Sequence, residues 1–573
     1  MKFLLVGINA KFIHTNPAVR SLKAYAGPEY AEHIEIAEYT INQYTRDILA
    51  DIYRKSPDVI GFSCYIWNFD IVKLLLKELK KVLPDTDIWL GGPEVSYHGE
   101  ETIKKFGELT GIMVGEGEET FKSLIKWYAD GGDENALKSI RGLQLPGGFT
   151  GVAKPVDMDT IPFFYNDMSE YKDRIIYYES SRGCPYSCSY CLSSVEKTLR
   201  FRSLDLVKSE LQFFLDKKVK QVKFIDRTFN CDHDRTMEIW RYIHEHDNGV
   251  TNFHFEIAAD ILKEDELDLL KEFRPGLAQL EIGVQSTNLM TIDAINRRMD
   301  IDKLRTIVES VKAGRNVHEH LDLIVGLPYE DYASFKKSFN DVYSMEPEQL
   351  QMGFLKVLKG AKMEADAEKY GICYSDEPPY EVLFTNWLNF GEVLRLKQVE
   401  EMVELYYNSN QFTHILPAMV KIFESPFDMF EELAKFYEKN GYFVASPARS
   451  YRYNVLLNFL RDKDPENMDF YRDLALYDMY LRENLKSRPD FAGELSDDEK
   501  MRIKAFFEAE EKERKYLPSY IGFDKKQLRR NAHLEFFDFD VNSVVPAKKE
   551  TAILFDYSER NPLNMEARTC VIR

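Results

Sequence analysis

At 573 residues the chain is too long for a single core and is expected to hold three or four domains. Its hydrophobic content of 44% is that of a globular protein, and no 18-residue apolar run offers a bilayer span. A formal charge of −20 would repel a phosphate backbone, which argues against nucleic acid as a partner.

The chain opens on "MKFLLVGIN", whose apolar run stops at Asn9 and Lys11; it reads as a first buried strand rather than a signal peptide. Residues 1–130 then alternate short apolar strands ("IEIAEYT", "DVIGFSCYI", "DIWLGG", "GIMVG") with stretches whose apolar residues recur at three and four, as in "FDIVKLLLKELKKVLP". That alternation predicts an α/β fold, a doubly wound, flavodoxin-like parallel sheet with ligands beyond the carboxyl ends of its strands. Residues 131–172, rich in Gly, Pro and Asp, read as a linker with a small hairpin. A second βα series occupies 173–400, with strands "RIIYYESS", "QVKFIDRTF", "NFHFEIAAD", "LAQLEIGVQS", "HEHLDLIVGLP" and "QLQMGFLKVL": a barrel-like parallel unit. Residues 401–573 read as a mainly helical, aromatic-rich domain that finishes in a small sheet. The basic run "DKKQLRR" at 524–530 reads as a solvated helix face.

Seven cysteines, four of them isolated (Cys64, Cys231, Cys373, Cys570), point to a reducing cytoplasm rather than a disulfide scaffold. The other three fall together in "SRGCPYSCSYC", as Cys184, Cys188 and Cys191. Three thiolates can hold three irons of a four-iron cluster and leave the fourth open, whereas a structural zinc site wants a fourth protein ligand. No second C-x-x-C stands nearby, and the trio follows the end of a strand, where barrels carry their chemistry.

C-x3-C-x2-C after a first barrel strand resembles the signature of the radical S-adenosylmethionine (SAM) superfamily, whose partial (β/α)6 barrel is then the expected fold of this region. The resemblance implies a [4Fe-4S] cluster on the three cysteines, SAM on the open iron, and a 5′-deoxyadenosyl radical formed with one electron from an external donor such as flavodoxin or ferredoxin. The later strands resemble the subgroup that contains oxygen-independent coproporphyrinogen oxidase. By that likeness Gln285, Ser286 and Asp322 hold the ribose of SAM, Arg297 its carboxylate, and Glu256 and Asp226 its amino group. Asp226 stands where many members carry Gly-Gly-Glu, a departure from the pattern.

In the first domain no G-x-G-x-x-G follows the first strand, so a dinucleotide site is not indicated. Small residues at two adjacent strand ends, Ser63 and Gly91-Gly92, instead open a slot for a narrow ligand tail. This resembles a cobalamin-binding domain, with "GGPE" (Gly91, Gly92, Pro93, Glu94) and "GEG" (Gly115, Glu116, Gly117) as its cofactor loops. Domain order, the linker "IPFFYNDM" and the cysteine barrel together are similar to the cobalamin-dependent radical SAM family over about 400 residues. Members that ligate cobalt from below use D-x-H-x-x-G after the first strand. Here "NAKFIHTNPAVR" supplies His14 without that Asp or Gly, so base-off cobalamin without a histidine is expected.

The resemblance implies an enzyme, foremost a methyltransferase at an unactivated carbon that uses a deoxyadenosyl radical and methylcobalamin on a small-molecule or peptide substrate. A non-methylating rearrangement or cyclisation is the alternative within this architecture. A transfer-RNA methylthiotransferase would carry a second three-cysteine set and a basic domain, and a non-catalytic cofactor-binding protein would not need the complete SAM set. The region from about 400 resembles an uncharacterised extension found on some of these proteins, and its aromatic residues read as core.

Overall fold

The structure is a computed structural model and describes residues 1–195 and 197–572. The chain divides into two compact units. The first comprises Met1–Val317, Ile324–Asp331 and Gly353–Asn389; the second comprises His318–Leu323, Tyr332–Met352 and the chain from Phe390 onward.

The first unit opens with five parallel strands, β1 (Phe3–Asn9), β2 (Ile34–Thr40), β3 (Val59–Ser63), β4 (Asp87–Gly91) and β5 (Gly111–Met113), in the spatial order β2-β1-β3-β4-β5. Alternation along β1 shows why helices cover both faces. Leu4, Val6 and Ile8 enter the core shared with α2 (Thr45–Lys55) and α3 (Phe69–Val82). Phe3 and Leu5 enter the opposite core with α1 (Pro17–Ala26) and α6 (Glu118–Asp130), the short helices α4 (Pro93–Ser96) and α5 (Gly99–Lys105) lying between α3 and α6 in the chain. The doubly wound sheet is thus as expected, with one addition. The hairpin β6 (Leu143–Leu145) and β7 (Gly148–Phe149), expected in a linker, extends the sheet antiparallel from β5. A tight turn reverses the chain, so these strands cannot run parallel.

The barrel series begins with β8 (Ile176–Tyr178), followed by a two-stranded ribbon of β9 (Ser181–Arg182) and β10 (Arg200–Phe201) that brackets the cysteine loop. β11 (Gln221–Phe224), β12 (Asn252–Ile257) and β13 (Ala278–Gln285) then pair in parallel, in the order β8-β11-β12-β13. Helices Leu204–Asp216, His233–Glu245 and Glu264–Glu272 separate these strands, the alternation of a partial (β/α)6 barrel. On β13 the buried residues Leu280, Ile282 and Val284 alternate with the half-buried Glu281 and Gly283. β14 (His318–Val325) and β15 (Gln349–Phe354) complete the six-strand series, and each changes unit within its length.

The second unit is mainly helical from Phe390, and ends in an antiparallel sheet of Ala532–Phe539, Lys548–Arg560 and Ala567–Ile572. Helix Lys525–Asn531 carries the basic run on exposed positions and buries Leu528. Tyr406, Tyr437 and Phe459 of this unit are buried in its core, whereas Phe390 and Tyr451 are exposed. Among the described residues no helix is long and apolar enough to cross a membrane.

Candidate functional site

The carboxyl end of the N-terminal sheet opens on a cavity of about 790 Å³ within the first unit. Ser63, Gly91, Gly92, Pro93, Gly115, Glu116 and Gly117 all line it, so the slot residues read from the sequence come together, Glu94 excepted. A volume of this size is that of a binding site for one sizeable ligand or part of a larger one. Its far wall carries the aromatic run Phe163–Tyr165 of the supposed linker, and Arg182 and Gly183, which lead into the cysteine loop.

The glycines are not equivalent. A Cβ on Gly91 would stand 3.5 Å from Met113, an ordinary contact, and at Gly115 the position is open to 4 Å among the described residues. Gly92 has φ +106°, and a Cβ there would lie 2.5 Å from the carbonyl oxygen of Cys64. Its smallness serves the close approach of two backbones: the Cys64 N–H donates to Gly91 O at 2.7 Å. Glu94 is buried and turned away, its carboxylate taking Lys359 Nζ at 2.7 Å and the Tyr380 hydroxyl.

His14 does not line the cavity; its Nδ1 lies 2.6 Å from the hydroxyl of Tyr177, which does. Burial lowers the imidazole pKa, with Lys11 and Lys223 adding to the effect, so the ring is neutral and already engaged.

Cys184 and Cys188 are buried and Cys191 half-buried in the loop between β9 and β10. A single tetrahedral ion with bonds of about 2.3 Å would gather its sulfurs closely. Among the described residues the one group of ligand atoms within 4.8 Å of each other is His233, Asp265 and Glu266, so the three thiols stand wider than one ion requires. In that group each ring nitrogen of His233 faces a different carboxylate, Asp265 at 3.1 Å and Glu266 at 3.3 Å.

Beside the thiols, Arg297 lies with Nη1 3.9 Å from Cys188 Sγ and 3.3 Å from the Tyr190 hydroxyl, while Nη2 donates to Gly283 O. Its Nε, like Oε1 of Gln285, is buried without a partner among the described residues. Gln285 has φ +70°, an uncommon conformation for a side-chain-bearing residue, and its amide folds back to the place a Cβ of Gly283 would occupy. An unsatisfied acceptor and an unsatisfied cationic donor beside a cysteine loop fit a ligand that carries hydroxyls and a carboxylate, as SAM does.

The remaining SAM candidates separate. Ser286 donates to Glu330 at 2.6 Å and accepts from Asn288 N–H. Glu256 sits half-buried on β12, in register with Glu281 of β13. Asp322 belongs to the second unit, 3.0 Å from His320 Nε2. Asp226 has a different employment from the one expected. Both its oxygens are taken, by Ser180 N–H at 2.9 Å, Ser180 Oγ at 2.6 Å and Ser181 Oγ at 2.7 Å, and burial pushes its carboxyl up to about 6. It therefore fixes the end of β8, from which the cysteine loop departs.

Sequence reasoning missed Arg182, Arg200 and Glu118. Arg182 Nη2 reaches Glu118 and Glu179, each at 2.8 Å, and Arg200 pairs with Glu116. The signal was an arginine two residues before Cys184 and a second arginine after the loop, opposite acidic residues in "GEGEE". Burial works against ionisation of Glu116, yet Arg200, the Val156 N–H and Arg182 outweigh it and hold the carboxyl below its ordinary pKa.

Three family models match the chain: B12 binding domain at residues 4–125, Radical SAM superfamily at 178–342, and Protein of unknown function (DUF4080) at 368–555. A cobalamin-dependent radical SAM methyltransferase, TokK of Streptomyces tokunonensis, is 26% identical over 340 residues, 55% of this chain and 50% of that protein. The chain spans about half the length of the curated relatives it matches. Among solved structures, the radical SAM methyltransferase TsrM from Kitasatospora setae, with cobalamin and a [4Fe-4S] cluster bound, superposes with a TM-score of 0.55 at 16% identity, over 66% of this chain and 79% of that one. The cobalamin-dependent SAM radical enzyme OxsB with aqua-cobalamin gives 0.56 at 15% identity, over 89% and 84%. At such identities the likeness is one of fold. The matched domains assign cobalamin, SAM and an iron–sulfur cluster as the cofactors.

Proposed function

We propose, since this chain joins a cobalamin-binding domain to a radical SAM domain, that it is a cobalamin-dependent methyltransferase acting on an unactivated carbon of a small-molecule or peptide substrate. One observation carries the reading: the glycine-lined slot of the first sheet and the residues entering the cysteine loop, Arg182 and Gly183, wall the same cavity. When bound, the cluster with SAM supplies a carbon radical and cobalamin a transferable methyl group, and proximity in one cleft is the reason to fuse their domains.

The chain's own residues then have separable tasks. Cys184, Cys188 and Cys191 hold the cluster. Arg297 and Gln285 offer the SAM carboxylate and ribose the unsatisfied groups described above, with Ser286 and Glu256 as further candidates. Ser63, Gly91 and Gly115 leave room for the nucleotide tail of base-off cobalamin, and His14, bonded to Tyr177, does not ligate cobalt. A soluble flavodoxin or ferredoxin in a reducing cytoplasm would deliver the electron, and the charge of −20 argues for a substrate other than nucleic acid.

The test incubates reduced, cobalamin-loaded enzyme with methyl-labelled SAM and extract from its source. Labelled product together with both S-adenosylhomocysteine and 5′-deoxyadenosine is expected. Deoxyadenosine with substrate turnover, but neither label transfer nor S-adenosylhomocysteine, would replace this reading with a rearrangement or cyclisation.

A further inference from the structure

The cysteine loop is fastened to the carboxyl edge of the N-terminal sheet from two sides. On one side the ribbon closing the loop sets Arg182 directly opposite Arg200. Two guanidiniums so placed repel each other unless anions stand between them. Glu116, on the turn leading into α6, and Glu118, the first residue of that helix, supply those anions. Arg182 meets Glu118 at 2.8 Å and Glu116 at 3.4 Å, and Arg200 Nη1 meets Glu116 at 3.2 Å. Side-chain exposures of 7–19% across this set keep water and salt from screening it as they would a surface pair. On the other side the Met363 N–H donates to Ser189 O at 2.7 Å, between Cys188 and Cys191. Nearby Lys359 and Glu364 tie the same segment to Glu94 and His98, after β4.

Gly115, Glu116 and Gly117 also wall the cobalamin slot. A ligand that stills this turn therefore stills the partners of Arg182 and Arg200. We infer that Arg182 and Arg200, through Glu116 and Glu118, are positioning residues that make filling of the cobalamin slot and assembly of the iron–sulfur cluster mutually favourable. Each ligand orders a loop that the other needs ordered, so whichever binds second meets a smaller entropic cost. The coupling is reciprocal by necessity. This inference rests on the cobalamin-dependent radical SAM reading.

The test compares hydroxocobalamin affinity of anaerobically reconstituted and cluster-free protein by spectral titration. Cluster-loaded wild type should bind about tenfold more tightly, within the usual range of coupling between sites. In Arg182→Gln and in Arg200→Gln that ratio should fall to about one, although both forms still bind. A purely structural loss would weaken both affinities and leave the ratio intact. Should those variants fail to fold, wild type alone decides. Cobalamin added to cluster-free protein should slow amide hydrogen exchange across 183–195, and unchanged exchange would overturn the coupling. A wild-type ratio near one, or a ratio that survives both substitutions, would likewise sink the inference while leaving the proposed function standing. Protein that retains no cobalamin at all would overturn both.

Discussion

The carboxyl edges of the two parallel sheets in the first unit use side chains in opposite ways. The edge of the N-terminal sheet withholds them: Ser63, Gly91 and Gly115 present backbone and space. The edge of the barrel crowds them in: three thiols share one loop, the guanidinium of Arg297 stands against Cys188, and the amide of Gln285 lies beside that guanidinium over Gly283. A ligand with a long tail is selected by shape and vacancy, whereas a small charged cofactor is fixed by directional donors and acceptors. Damage to each edge should therefore abolish binding of one cofactor and only weaken that of the other.

The largest effects come from crossing the two. Replacing Cys184, Cys188 and Cys191 together by Ala should take bound iron from about four per chain to none, while cobalamin, more loosely held, still elutes with the protein. Gly91→Leu should do the reverse, filling the slot and abolishing cobalamin retention while the cluster, more loosely held, still assembles on reconstitution. Loss of both cofactors in either variant would break the contrast. Gly92 is not a substitute for Gly91 in this experiment, because a side chain there meets the backbone of Cys64.

A smaller effect sharpens the assignment of Asp226 as a brace for β8. A carboxyl raised by burial holds its proton more tightly in the folded chain. Its contribution to stability is complete below the unfolded value near 4 and is lost as pH rises through about 6. The stability of wild type relative to Asp226→Asn should fall by about 2 kcal/mol between pH 4 and pH 7, read from thermal melts of cluster-free protein. A difference independent of pH would mean the carboxylate titrates normally. Least of all should come from His14→Ala, which is expected to leave the absorption and paramagnetic spectra of bound cobalamin unchanged. A shift in either would show that the ring leaves Tyr177 to meet cobalt.

The cysteine loop and the residues at the strand ends were legible because their chemistry is local: three thiols within eight positions, and strands whose apolar runs stop at a polar residue. The slot was legible as a set of small residues, yet the roles within it were not. Only the three-dimensional approach of Cys64 distinguishes Gly92 from Gly91. Asp226 looks like a ligand in the sequence because its partners, Ser180 and Ser181, lie more than 40 positions back in the chain, just past the end of β8. Arg182 and Arg200 face each other across strands of two residues each, too short to leave any period in the sequence. The hairpin at 143–149 was visible, but nothing local says which sheet a hairpin will join.

Gly283 carries no side chain to offer a cofactor, yet the amide of Gln285 rests where any side chain at 283 would have to go. An added methyl group there would evict an amide two residues on and reshape the nucleoside pocket without altering a single contact residue. Libraries aimed at accepting altered sulfonium donors should randomise 283 jointly with 285, since changes that fail one at a time can succeed as a pair.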